Sequence, residues 1–181
     1  FKPRYKRINF KNLSILFIGT GKNKNLHRVL NALKGLKVKI IIIGELNNKY
    51  RNLLIKNKII YQNFINQTHK QIYNHYVKCD ILLYPSIYEG FGIPIIEAQS
   101  VGRLVITSSN LKNIAGNGAI YVNPLSENDI RKKMSDLIKN NYKTRKLINL
   151  GFKNLEKYNL KDIKNYYLDF YNSFYENIGR N

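Results

Sequence analysis

The chain has 181 residues, 44% of them hydrophobic, which is enough for one well-cored domain and short for two. Its 31 lysine and arginine residues against 11 acidic residues give a formal net charge of +20. No apolar run approaches the roughly 18 residues of a membrane-spanning helix. We expect no signal peptide, because no apolar segment follows the basic residues at the start of the sequence. The single cysteine, Cys79, excludes an internal disulfide and fits a reducing compartment.

Apolar runs suited to buried strands alternate along the chain with segments of helical period. The predicted strands are Ser14–Ile18, Val38–Ile43, Ile59–Gln62, Ile81–Tyr84, Leu104–Thr107 and Ala119–Val122. The predicted helices are Leu26–Leu33, Asn48–Lys56, a helix capped by Asn66 that runs to Lys78, a helix from Pro94, and Glu127–Lys139, Lys143–Lys157 and Leu160–Asn177. This alternation predicts βαβ units, and so an α/β fold: a single Rossmann-like, doubly wound domain with a parallel sheet of about six strands.

The segment IGTGKNKNL follows the first predicted strand. Glycines after a strand let the backbone approach a ligand, and the next helix offers free N–H groups and a positive dipole. Gly21, Lys22 and Lys24 would suit a phosphate there, although a tight turn with solvated lysines explains the same residues. The segment lacks the GxGxxG pattern and the acidic residue of a nicotinamide site.

The segment YEGFGIPIIEA follows the fourth predicted strand and holds two carboxylates. Pro94 fits the first helical position. The backbone amides expected at the helix N-terminus are those of Phe91, Gly92 and Ile93, with Gly90 and Gly92 permitting positive φ. This backbone could hold an anion or sugar hydroxyls.

The two carboxylates, Glu89 and Glu97, could grip opposite ends of one ligand. Glu97, one turn inside the helix, could accept hydrogen bonds from a vicinal diol such as a ribose. The structural alternative is that Glu97 compensates the helix dipole and that Glu89 is merely solvated.

The stretch YPSIYEGFGIPIIEAQSVG resembles the E-x7-E signature of glycosyltransferase family 4, retaining enzymes of the GT-B fold. The segment ILFIGTGKNKNLHRVLNALKGL resembles the family's first strand, phosphate loop and helix, and VKIIIIGEL resembles its second strand. Asn66–Ser86 and SSNLKNIAGNGAIYVNP are similar to later family segments, so the resemblance runs from about Ser14 to Phe170.

The resemblance implies that residues 1–181 are a single nucleotide-sugar donor domain, the C-terminal half of an enzyme whose N-terminal acceptor domain is absent. The chain does not begin with Met, and we expect it to be part of a longer polypeptide. By position, Lys24 would bind the diphosphate, Glu97 the ribose, and Glu89, the catalytic residue, would face the donor sugar. The nucleotide base of the donor would lie against the loop after the third predicted strand. The donor-binding residues implied are Thr20, Gly21, Lys22, Lys24, Asn63, Phe64, Ile65, Gly90, Phe91, Gly92, Ile93 and Glu97.

Two departures from the family pattern concern the donor-sugar contacts. Thr20 stands where many relatives have an arginine, and Lys112–Asn113 stands where they have Pro-Glu. The resemblance implies retaining transfer from a nucleoside-diphosphate sugar to a saccharide or lipid-linked acceptor in surface polysaccharide synthesis. We expect no metal, because no Asp-x-Asp motif is present, and no cofactor. The fragment alone should bind donor but turn over poorly.

Two other interpretations of the sequence stay open. One is a GT-B-fold epimerase or phosphorylase, although His27, His69 and His75 have no evident partner pattern. Another is a non-catalytic basic domain that holds lipid or nucleic acid by charge. Because the lysines are spread along the chain with no dense block, we expect no nucleic-acid partner. Peripheral contact with the inner face of the membrane, from the cytoplasm, stays open, since each lysine near an anionic surface adds about 1 kcal/mol.

Overall fold

The computed structural model describes residues 2–139, 142–159, 164 and 168. The strands are β1 (Leu13–Ile18), β2 (Val38–Ile43), β3 (Ile60–Phe64), β4 (Ile81–Tyr84), β5 (Leu104–Ser108) and β6 (Ala119–Val122). The helices are α1 (Leu26–Ala32), α2 (Asn48–Lys56), α3 (His69–Lys78), α4 (Ile93–Ser100), α5 (Lys112–Ala115), α6 (Glu127–Ile138) and α7 (Thr144–Asn154). Short 3-10 turns cover Lys22–Lys24, Ser109–Leu111 and Leu155–Tyr158.

The six strands form one sheet in the order β3-β2-β1-β4-β5-β6, and every neighbouring pair is parallel. This confirms the predicted α/β, doubly wound fold. The order reverses between β1 and β4, because the chain moves outward from β1 to β3 and then returns to the other side of β1. Ligands of open α/β sheets bind outside the carboxyl ends of the strands at such a reversal. The segments after Ile18 and Tyr84 therefore meet at the expected place.

Both faces of the sheet are covered. Phe17 of β1 is fully buried in a cluster with residues of α1, α2 and α6, while its neighbour Leu16 is fully buried in a second cluster with residues of α3 and α4. Because central strands are buried on both faces, they read as continuous apolar runs rather than alternating ones. In the part of the chain that the structure describes, no helix has the length and apolarity needed to cross a membrane.

Several predicted boundaries need correction. Thr68, not Asn66, caps α3: its side chain accepts from the Gln71 amide, the Gln71 side chain accepts from the Thr68 amide, and Asn66 has a positive φ of 52°. α4 begins at Ile93, so Pro94 is its second residue rather than its first. The predicted helix 160–177 lies outside the described residues except for positions 164 and 168.

Candidate functional site

Lys24 joins the loops that follow β1 and β4. Its ammonium donates to the Tyr84 hydroxyl at 2.6 Å and to Glu89 Oε1 at 2.7 Å. The aliphatic part of the side chain crosses Gly19, whose φ is +86°; a Cβ there would lie 2.9 Å from Lys24 Cε. A glycine at the end of β1 is therefore what lets the lysine reach the neighbouring loop.

Glu89 is ionised in this arrangement. Burial alone would raise its pKa, but hydrogen bonds to the carboxylate, foremost that of Lys24, outweigh burial and leave the pKa below its usual value. Burial, together with the hydrogen bond and charge of Glu89, raises the pKa of Tyr84, so its phenol stays protonated. The side chains of Lys24 and Glu89 are 21% and 10% exposed, so a ligand can still reach the pair.

Two asparagines that the sequence did not single out hold these loops together. The Asn23 carbonyl accepts from the Ile87 amide at 2.8 Å, and its side-chain amide lies 3.5 Å from Glu89 Oε1. The buried side chain of Asn25 donates to the carbonyls of Pro85 at 3.0 Å and Pro124 at 2.6 Å. The position of Glu89 is thus fixed from the opposite loop before any ligand binds.

The N-terminus of α4 opens at the same edge of the sheet. Gly92 caps the helix with φ +67°, a conformation that favours glycine. In the first turn Pro94 has no N–H and the Ile95 amide donates to the Gly92 carbonyl at 2.9 Å, which leaves the Ile93 amide as the donor of that turn without an intrahelical acceptor. Gly90, the other glycine expected to use positive φ, does not have it. Phe91 and Ile93, 53% and 57% exposed, flank the opening. The helix start can therefore offer the backbone N–H of Ile93 to an anion.

Glu97 is held by residues of α3. Its Oε2 accepts from the Tyr76 hydroxyl at 2.9 Å, while the His69 Nε2 lies 3.9 Å from Oε1, a distance at which protonated histidine would form an ion pair. Burial raises the pKa of Glu97, and the Tyr76 hydrogen bond opposes that effect. The carboxylate is 21% exposed, so it can accept hydrogen bonds from a ligand diol.

Two of these contacts revise the sequence reading. The sequence shows no partner pattern for His69, whereas in the structure His69 faces Glu97. Tyr76 does lie on the buried side of α3, as its place in the apolar pattern predicts, but its hydroxyl extends to the carboxylate. A tyrosine hydroxyl on the apolar side of the helix was the signal that could have identified Tyr76.

Residues 63–65, which are expected to contact the nucleotide base of the donor, lie partly inside the sheet. Asn63 and Phe64 belong to β3 rather than to the loop after it. The Asn63 side chain donates to the carbonyls of Gly44 at 2.7 Å and Ile42 at 3.2 Å, which ties the carboxyl ends of β2 and β3 together. Ile65 follows the strand and is 54% exposed.

The remaining predicted residues follow β1. Gly21 precedes the 3-10 turn with φ −59°, Lys22 is exposed, and the Thr20 side chain lies against Gly44, where a Cβ would be 3.1 Å from it.

The structure brings Lys24 and Glu89 into direct contact and leaves the other predicted residues around the same sheet edge. Among the described residues, no group of three or more His, Cys, Asp or Glu side chains could hold a metal ion. The arrangement offers a cation, a helix amide and two carboxylates, which suits an anion joined to a hydroxylated group.

Comparisons with known proteins agree on one family. Residues 2–154 match the family model described as Glycosyl transferases group 1. Over 67 residues the chain is 46% identical to the O-antigen chain mannosyltransferase RfbU of Salmonella typhimurium, a stretch that covers 36% of this chain and 18% of that protein.

Two solved structures show the same fold. The C-terminal domain of a glycosyl transferase group 1 family protein, LpcC of Francisella tularensis, has a TM-score of 0.68 at 22% identity, and the match covers 87% of this chain and 94% of that one. Anabaena HepE, solved in complex with UDP and glucose, has a TM-score of 0.77 at 15% identity, covering 90% of this chain and 49% of that one. The chain thus spans about half of HepE and nearly all of an isolated C-terminal domain of a GT-B enzyme.

Proposed function

Because the chain belongs to the glycosyl transferases group 1 family, we propose that it supplies the donor site of a retaining glycosyltransferase. The reaction we propose is transfer of a hexose from a nucleoside-diphosphate sugar to a saccharide or lipid-linked acceptor in surface polysaccharide synthesis. The similarity to RfbU, an O-antigen mannosyltransferase, supports this reaction class. The observation that carries the proposal is the contact between Lys24 and Glu89 where the strand order reverses.

In this proposal the diphosphate lies between Lys24 and the N-terminus of α4. As the bond to the sugar breaks, negative charge builds up on the leaving diphosphate, and a preformed cation with an oriented amide stabilises that charge without reorganising. The phosphate would compete with Glu89 for the Lys24 ammonium. Since Glu89 would lose that partner, its carboxylate would become available to hydroxyls of the donor sugar.

The other contacts of the donor follow from the same edge. Glu97 accepts hydrogen bonds from the ribose hydroxyls, while Tyr76 orients its carboxylate. The base lies near Ile65, at the end of β3. The acceptor binds to an N-terminal domain beyond this chain, at the inner face of the membrane in the cytoplasm. The reaction needs no divalent ion, and excess EDTA should leave nucleotide affinity unchanged.

Calorimetric titration with UDP, GDP and ADP and their sugar conjugates, at two salt concentrations, tests this function. We expect one diphosphate to bind selectively at both salt concentrations. Glu97→Ala should weaken its binding about tenfold or more, which corresponds to roughly 1.4 kcal/mol. Glu156→Ala, which removes an exposed carboxylate after α7, is the matched control and should change nothing. Binding that is lost equally in both variants, or that disappears at high salt, would contradict the donor site.

A further inference from the structure

Net charge is distributed very unevenly along this chain. The first 79 residues hold 17 lysines and arginines but one acid, Glu45, a net charge of +16, whereas the remaining residues hold 14 basic and 10 acidic side chains. The lysines themselves are spread out, so the asymmetry comes from where the acids are missing. The basic half contains β1, β2 and β3, which are neighbours in the sheet.

The fold collects lysines of this half at one edge. The amino ends of parallel strands meet on the same side of the sheet. Lys37 immediately precedes β2, while Lys11 and Lys58 lie two residues before β1 and β3 respectively. These three exposed lysines line one cavity of about 450 Å³. Glu45 follows the carboxyl end of β2 and therefore lies at the opposite edge of the sheet.

Exposed aliphatic side chains accompany the lysines. Ile60, at the start of the outermost strand β3, lines the same cavity and is 68% exposed. Ile55, near the end of α2, is 69% exposed, and its carbonyl accepts from the Lys58 amide at 3.0 Å. Large aliphatic residues this exposed cost free energy in water, because apolar surface is left unburied.

We propose that the basic edge, defined as Lys11, Lys37, Lys58, Ile55 and Ile60, docks on a bilayer surface that contains anionic lipid. Lysine ammonium groups bind the headgroup phosphates, and the two isoleucines enter the boundary between headgroups and acyl chains. A nucleic acid fits this edge less well, since single-stranded bases stack on aromatic or arginine side chains, which the cavity lining lacks. The proposal deepens the membrane location proposed above, but it uses the edge of the sheet opposite the donor site.

Sedimentation with lipid vesicles tests this docking. The protein is mixed with vesicles of phosphatidylcholine alone, or of phosphatidylcholine with phosphatidylglycerol. We expect binding to the anionic vesicles only. The triple variant K11E, K37E, K58E should lose at least about tenfold in affinity. The control triple variant K143E, K146E, K153E changes three exposed lysines around α7, with the same change of net charge, and should bind within about twofold of the parent chain.

A second variant tests the isoleucines without changing charge. Ile55→Ser with Ile60→Ser should weaken vesicle binding severalfold while circular dichroism and nucleotide titration stay as in the parent chain. Equal loss in the two lysine variants, full binding by the double serine variant, or binding to RNA in place of vesicles would each overturn the proposal. Since nucleotide affinity is measured on the same variants, failure of the docking and failure of the donor site give different results.

Discussion

The Tyr76 hydroxyl, buried between α3 and α4, fixes the orientation of the Glu97 carboxylate. It lies 2.9 Å from Glu97 Oε2 and 3.2 Å from the Pro94 carbonyl, so its single proton is shared between the functional carboxylate and the first turn of α4. The charged oxygen is the stronger acceptor. In the proposed donor site the residue would act on a ligand through Glu97, without touching it.

Tyr76→Phe should therefore weaken nucleoside-diphosphate binding about threefold to tenfold. This is less than the roughly 1.5–3 kcal/mol of a direct hydrogen bond to a charged group, because Tyr76 would act on the ligand only through Glu97. Burial already raises the pKa of Glu97, and removal of the hydroxyl would raise it further, so Glu97 should become protonated at a higher pH in the variant. Within the described residues, the groups that face Glu97 are Tyr76 and His69, both from α3. Calorimetry across a pH series should show that the binding affinity falls as the pH is lowered. This fall should begin at a higher pH in the variant than in the parent chain.

Tyr73→Phe is the control for that series. Tyr73 belongs to the same helix, but its hydroxyl donates to the Lys2 carbonyl at 3.3 Å. This variant should keep the parent pH profile. A Tyr76→Phe profile that coincides with the parent profile would show that Tyr76 has only a packing role.

At the scale of whole elements, α7 packs backbone against backbone on the segment that leads into β6. A Cβ at Gly118 would lie 2.3 Å from the Gly151 nitrogen, closer than any real contact allows, and neither atom is at the end of a flexible side chain. The absence of a side chain at Gly118 is what lets the helix approach this closely. The helix in turn supports α4, because Asn154 donates to the Gln99 side chain at 2.8 Å.

Gly118→Ala should accordingly lower the free energy of unfolding by about 3 kcal/mol, since overpacking against rigid backbone forces α7 outward. Gly90→Ala is the matched control: a Cβ there meets nothing within 4 Å and φ is not positive, so its stability should change by less than about 0.5 kcal/mol. Urea denaturation of both variants measures the difference. Similar stability of the two would mean that α7 does not pack in this way.

Strands and helices could be predicted from the sequence where the pattern of apolar residues alone determines them. The bounds of β2, β4 and β6 are those predicted, because each is a mainly apolar run in which most residues are buried. The cap of α3 was missed although Gln71 stands three residues after Thr68, the spacing of a capping box. β3 extends beyond its apolar residues because Asn63 bonds to the carbonyls of β2, a contact between strands that no local pattern reveals.

The candidate site was predictable in its location but not in its contacts. The family resemblance placed Lys24 and Glu89 in one donor site, and the carboxyl ends of parallel strands share one side of the sheet. That β1 and β4 are neighbours was not predicted. The pairing of Lys24 with Glu89, and the support from Asn23, Asn25 and Tyr76, depend on loop conformations. Side chains that act across loops leave no periodic signal.

For the molecule as a whole, the two opposite edges of the sheet should respond differently to salt. Vesicle binding through exposed lysines should weaken steeply between low and high ionic strength, because surface charges are screened over about 10 Å at 0.1 M. Nucleotide binding, in which half-buried Lys24 and Glu97 and the first amide of α4 take part, should change little over the same range. Both are measured on one sample, by sedimentation and calorimetry. Parallel loss of both activities would indicate that the nucleotide too is held by general charge.

Lys24→Met gives the most direct test of the donor site, with Lys58→Met as a control that removes the same charge from the opposite edge. Each variant is titrated calorimetrically with the nucleoside diphosphate that the parent chain selects. The account predicts at least about a tenfold loss of affinity for Lys24→Met, equivalent to roughly 1.4 kcal/mol, and no change for Lys58→Met. Equal affinities in the two variants would contradict the assignment of Lys24 and its loop to the diphosphate.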